Sequence, residues 1–194
     1  MTCALASQYV DEALAQTRWD HENCIRRSLV GFAGQILAML SHHSKVIAVD
    51  LTIFESEANS ELNAGYVQFS TFLEATLHRL RRRLCIKRLG YFWVKERTAE
   101  GAPHWHLILL LDGHRISGGH TLRKVINGAI PSAQHFNAKW ARLAGDSRLR
   151  IAKRGDVDSI TEMIGAHAYF AKRESKTQAC GERRYGVSRL PAKC

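Results

Sequence analysis

The chain has 194 residues, room for one domain with a short preface, and at 45% hydrophobic it can supply a core. Lys and Arg number 28 against 18 Asp and Glu, and the net charge of +10 favours a polyanionic partner, nucleic acid foremost. Its five cysteines are scattered with no C-x-x-C pair, no apolar run nears the roughly 20 residues of a membrane span, and no signal-peptide pattern opens the chain. These features set aside a disulfide scaffold, a zinc finger and a membrane protein, and point to a cytoplasmic setting.

In chain order, a helix is expected around Val10 to Arg18, and a clearer one over residues 21–41, where Ile25, Leu29, Phe32, Ile36 and Leu40 recur at three- and four-residue steps. His42 and His43 fall in a polar break and read as loop residues. Lys45 to Phe54 is rich in β-branched residues and reads as a strand. Phe69 to Leu84 is an amphipathic helix with Phe69, Phe72, Leu73, Leu77, Leu80 and Leu84 as its apolar stripe. Arg79, Arg81, Arg82 and Arg83 crowd its last turns, where they complement the helix dipole and can either face phosphates or form a solvated face.

Tyr91 to Arg97 is a second strand, and Pro103 to Leu111 a third, joined by a short polar loop that makes them antiparallel neighbours. Leu107 to Leu111 show no alternation, as expected of a central strand covered on both faces. Helices are expected over residues 121–130 and from Ser132 to about Leu143, the latter with Phe136, Trp140 and Leu143 inward. Arg148 to Ala152 reads as a short strand. Asp158 or Ser159 can cap a last helix from Ile160 to Lys172. Cys180 to Arg189 reads as irregular or a weak hairpin.

The chemistry concentrates in two places. Side chains alternate along a strand, so His104 and His106 share a face while Trp105 takes the other. Two imidazoles held on a rigid strand are half a metal site. Glu96 ends the preceding strand and can come opposite His104 in a tight antiparallel pair. With the right parity the site is His, His, Glu, suited to Mn²⁺ or Mg²⁺ with Zn²⁺ as an alternative. With the other parity Glu96 is a surface carboxylate beside Lys95 or Arg97.

In the last helix, Ile160, Met163, Ile164, His167, Ala168 and Ala171 form the packed side, with His167 a core histidine. Tyr169 falls roughly opposite, near Lys172, with Gly165 one turn before it, where it removes bulk that would hinder a nucleic-acid backbone. Lys172 can offset phosphate charge or favour the phenolate of a phenol whose ordinary pKa is about 10. The plainer reading is a tyrosine snorkelling on a solvated helix.

His104-Trp105-His106 in an apolar strand, followed by Tyr169-Phe170-Ala171-Lys172 in a helix, resembles the HUH endonucleases. Within them, the blocks Tyr91–Arg97, Pro103–Leu111, Ala168–Lys172 and Arg184–Arg189 look like inovirus-type, gene II-like replication proteins and the prophage YagK/YfjJ C-terminal domain family. The resemblance covers about residues 45–190. It implies an α+β fold, a central antiparallel sheet of RRM-like palm type with helices packed on it. It divides the chain into an N-terminal helical extension, 1–44, and an endonuclease domain, 45–194.

The resemblance further implies that His104, His106 and Glu96 bind the divalent metal. It makes Tyr169, assisted by Lys172, the nucleophile that forms a 5′-phosphotyrosine link and frees a 3′-OH to prime rolling-circle replication. Lys95, Arg97, Lys176 and Arg184 are assigned to DNA contact. The implied partner is single-stranded or hairpin DNA at an origin in a bacterial host. No G-x-x-x-x-G-K-[ST] occurs, so unwinding falls to a separate host helicase. Only Tyr169 lies in the expected helix, where some phage-type initiators carry two tyrosines; Tyr185 reads as a structural or DNA-contacting residue. A non-catalytic DNA-binding prophage protein and a single-strand transposase of the same chemistry are the competing readings.

Overall fold

The computed structural model describes residues 3–17, 25–55, 66–97, 103–116, 124, 136–140, 149–171 and 184–193. The fold is α+β. In chain order the elements are α1 (Cys3–Ala15), α2 (Arg26–His42), β1 (Lys45–Glu55), α3 (Tyr66–Leu84), β2 (Gly90–Arg97) and β3 (Pro103–Asp112). There follow β4 (Phe136–Trp140), β5 (Arg150–Lys153), α4 (Val157–His167), a 3-10 turn (Ala168–Ala171) and β6 (Tyr185–Val187).

The sheet has the order β4-β1-β3-β2-β6, and its strands pair antiparallel. β5 lies on the same edge of β1 as β4, pairing Lys45–Ala48 while β4 pairs Leu51–Glu55. β3 is central, and Leu107 to Leu111 are fully buried. Alternation along β1, β2 and β3 sorts the apolar residues into two cores. Val46, Ala48, Phe92, Val94, Ile108 and Leu110 pack under α1, α2 and α4. Ile47, Val49, Leu51, Ile53, Trp93, Trp105, Leu107 and Leu109 pack under α3. The sheet is thus the middle of three layers. His104 and His106 lie on the face toward α2 and α4, at the end where β1 and β2 finish and β3 begins.

The stretch read as a helix from Ser132 is strand β4 over Phe136–Trp140. Phe136 and Trp140 sit four apart, as a helix face requires, but Phe136, Ala138 and Trp140 also alternate with Asn137 and Lys139. The second period wins because the C-terminal half of β1 offers a ladder edge that β4 satisfies. Of the helix expected over 121–130, only Lys124 lies among the described residues, in helical conformation. The cap of α4 is Asp156, whose carboxylate accepts from the Ser159 N–H at 3.0 Å, rather than Asp158 or Ser159.

The C-terminal segment is ordered by its partners. β6 adds to β2 with Tyr185 opposite Val94 and Val187 opposite Phe92. Beyond it, the Ser188 hydroxyl and the Leu190 N–H both donate to Gln35 Oε1 of α2, at 2.7 and 3.0 Å. His43, expected in a loop, is half-buried with Nδ1 3.2 Å from Asp112 Oδ2.

Candidate metal centre and tyrosine turn

The register of β2 on β3 decides the site. Glu96 is the direct partner of His104, and Val94 of His106. Directly opposite residues project to the same face, so Glu96 joins the two histidines. A slip of one residue would have put Lys95 or Arg97 there instead. On the other side, β1 brings Phe54 opposite His104 and Thr52 opposite His106.

Glu96 Oε2 lies 3.3 Å from His106 Nε2 and 3.8 Å from His104 Nε2. One ligand atom from each of the three residues falls within 4.8 Å of the others. Ligands about 2.1 Å from one ion and 90–110° apart stand about 3.0–3.4 Å from each other. The shorter separation matches that spacing, and the longer one needs a sub-ångström adjustment. Glu96 is 5% exposed, so its charge is costly unless compensated. A divalent cation compensates it and takes the two imidazole lone pairs, so the donor set fits. The mixed nitrogen and oxygen ligation does not by itself select among Mn²⁺, Mg²⁺ and Zn²⁺.

Three neighbours hold the imidazoles. Thr52 Oγ1 is 3.5 Å from His106 Nδ1, at the long limit of a hydrogen bond, and this is the contact that orients the ring. Phe54 stacks on His104, with centroids 5.8 Å apart. Phe170 lies against His106 at 4.5 Å.

Phe170 belongs to the 3-10 turn that extends α4, and Tyr169 is its neighbour. The Tyr169 side chain is 43% exposed. The expected continuous helix to Lys172 therefore ends as an α-helix at His167 and tightens into this turn. Two fastenings fix it. His167 is fully buried, with Nε2 2.8 Å from Asp50 Oδ1 of β1 and Nδ1 2.6 Å from the Met163 carbonyl. Burial lowers the imidazole's pKa, but the Asp50 charge, its hydrogen bond and the Met163 carbonyl outweigh this and raise it. At the far end of the turn, the Ile25 N–H donates to Ala171 O at 2.8 Å, tying the turn to the start of α2.

Gly165 does not face a nucleic-acid path. A Cβ there would meet Thr17 Cγ2 at 3.3 Å and Ala13 O at 3.6 Å, so its small size serves the packing of α4 on α1. Lys95 points to the sheet's other face, its Nζ 5.2 Å from the centroid of the Trp105 ring. Arg184 is half-buried, and its carbonyl accepts from the Lys95 N–H at 2.8 Å. Arg97 ends β2, whereas Lys172 and Lys176 lie outside the described residues.

Thr52, Phe54, Phe170 and the Asp50–His167 pair are the contributors that sequence reasoning missed. A signal existed for one of them: Asp50 is an acid inside an otherwise apolar strand, Val46 to Phe54, and such a residue needs a buried partner.

The fold and site define a basic α+β protein whose antiparallel sheet presents a buried His-His-Glu donor set with open positions. The family model for the replication-associated ORF2 and gene II proteins matches residues 47–178, a span that runs from β1 through the 3-10 turn. The chain belongs to that family, which places it in DNA replication and implies interaction with DNA. No curated protein and no solved structure matches the chain. No helix among the described residues is long and apolar enough to cross a membrane.

Proposed function

We propose that this protein is a metal-dependent DNA nicking and joining enzyme of the HUH type that initiates rolling-circle replication of a phage or mobile element. One observation carries the reading. A buried Glu96, His104 and His106 converge within 4.8 Å, and the turn bearing an exposed Tyr169 is packed against His106 through Phe170.

Glu96, His104 and His106 would hold a divalent cation, which supplies Lewis-acid polarisation of a phosphoryl oxygen. The remaining work falls to the chain. Thr52 orients His106, and Phe54 and Phe170 wall the site. Tyr169 attacks the scissile phosphorus through its phenolic oxygen as the phenol gives up its proton. The bond from phosphorus to the 3′ oxygen breaks, and that oxygen takes a proton to become a free 3′-OH. The 5′-phosphate stays on the tyrosine, and attack by a 3′-OH on that link reverses the step and reseals the strand. Lys172 offsets charge on the transferring phosphoryl group. Arg97, Arg184 and Lys176, with Lys95 on the reverse face, contact the DNA backbone.

The test is incubation with labelled single-stranded origin DNA and Mn²⁺, followed by denaturing electrophoresis. An SDS-resistant adduct is expected, lost in Tyr169→Phe, in His106→Ala and on chelation. An adduct that survives Tyr169→Phe and disappears in Tyr185→Phe would reassign the nucleophile. Binding without an adduct on any origin would make the protein a non-catalytic DNA-binding module.

A further inference from the structure

The α3 C-terminus carries a concentration of charge that the candidate metal centre does not use. Arg79, Arg81, Arg82 and Arg83, with Lys87 and Arg88 just beyond, are all exposed. The only acid in α3 is Glu74, upstream of them. None of the six is in an ion pair among the described residues. A helix C-terminus carries about half a negative charge, so dipole compensation accounts for a small part of six cations.

The local structure presents them together. The Ile86 N–H donates to Arg81 O at 3.1 Å and the Cys85 N–H to Arg82 O at 3.4 Å, the paired bonds that end a helix sharply. Ile86 and Leu89 are then buried, so the turn is anchored and its cations point outward. The positive field extends around this end of the molecule. Burial lowers the pKa of His43, and although Asp112 opposes this, nearby His42, Arg88 and Arg154 lower it further.

The location is remote from the triad. α3 covers the opposite face of the sheet. Its C-terminus leads into Gly90, the start of β2, whereas Glu96 is six residues along that strand, about 20 Å at 3.3 Å per residue. Proteins that grip single strands add aromatic platforms for base stacking. Among the described residues, the exposed large apolar side chains are Ile151, Val157 and Tyr169, none of them in this patch. Phosphate attraction without stacking suits a duplex, whose bases are already stacked.

We propose that the cationic end of α3 is a second DNA-binding surface, which holds the backbone of duplex DNA while the opposite face handles the strand to be cut. This rests on the DNA-binding part of the proposed function and is independent of the metal and the tyrosine.

The test is titration of the full chain with a fluorescein-labelled duplex, and with one of its single strands, across a series of salt concentrations. Each phosphate contact contributes about 0.9 to the slope of log K against log salt. The triple variant Arg79→Ala, Arg82→Ala, Arg83→Ala should flatten the duplex slope by about 2.7 and leave single-strand binding unchanged. The matching triple Lys variant should restore the slope, because Lys retains the charge. An unchanged duplex slope in the Ala variant overturns the proposal, as does an equal loss on duplex and single strand or a failure of Lys to rescue. His106→Ala is expected to keep wild-type duplex binding. If it loses that binding, the duplex sits at the triad and the second surface does not exist. If no protein nicks DNA but the Ala variant still shifts the duplex slope, the surface stands and the proposed chemistry falls.

Discussion

Asp50 and His167 form a buried ion pair that joins the sheet to the end of α4, with both imidazole nitrogens on acceptors. Removing one partner of such a pair leaves an uncompensated buried group and costs about 3–5 kcal/mol. The pH dependence has a fixed sign. The folded pKa of His167 is raised above 6.5, so its stabilisation is complete below 6.5 and is lost as pH rises through the folded value. Urea unfolding of the wild type should therefore show stability falling across that window. Asp50→Asn should lack this fall and be weaker by about 3–5 kcal/mol near pH 6. A wild-type stability that rises over the same range would contradict a charged His167. Thr52 acts on a smaller scale. Thr52→Val should lower Mn²⁺ affinity by about tenfold in calorimetric titration, with the unfolding midpoint little changed. Equal affinity in the two proteins would show that the 3.5 Å contact to His106 does not orient the ligand.

Strand ends and helix ends set what those residues can do. Cys85 follows α3 with φ +50°, a left-handed conformation that costs a side chain about 1–2 kcal/mol and glycine little. Cys85→Gly should raise unfolding stability by about 1 kcal/mol, a gain reduced from the full strain by glycine's freedom in the unfolded chain. Gly186 in β6 is the opposite case. A Cβ there would come within 2.8 Å of Cζ2 of the Trp93 indole, so β6 lies on β2 only because this residue has no side chain. Gly186→Ala should cost about 1–3 kcal/mol in denaturant titration. An Ala variant as stable as the wild type would mean that Trp93 yields freely.

Elements with one dominant period were legible in the sequence. The stripe from Phe69 to Leu84, the continuous apolar run of β3 and the β-branched β1 each had a single reading, and the structure has them within a few residues. Phe136 to Trp140 had two, because apolar residues at i, i+2 and i+4 satisfy both a strand and part of a helix. Only the free edge of β1 decides between them. β6 was illegible for a related reason: three residues carry no periodicity, and its order comes from pairing with β2 and from Gln35.

At the scale of the whole molecule, the sheet separates two kinds of surface. One face carries the triad and the tyrosine turn beneath α2 and α4, and the other carries α3 and its cations. His104 and His106 could be paired from parity alone, since alternation is a property of any strand. Glu96 could not, because its parity depends on how the loop sets the register between β2 and β3. The turn's position depended on contacts distant in sequence, Asp50 to His167 and Ile25 to Ala171, which no local pattern encodes. The central claim is that Tyr169 becomes joined to DNA beside this triad. The most direct measurement is mass spectrometry of the protein after reaction with origin single strand and Mn²⁺, nuclease trimming and proteolysis. The account predicts a nucleotide 5′-phosphate on the peptide containing Tyr169, absent from the His106→Ala protein. A modification on Tyr185 or another residue, or one that forms equally well in His106→Ala, would contradict it.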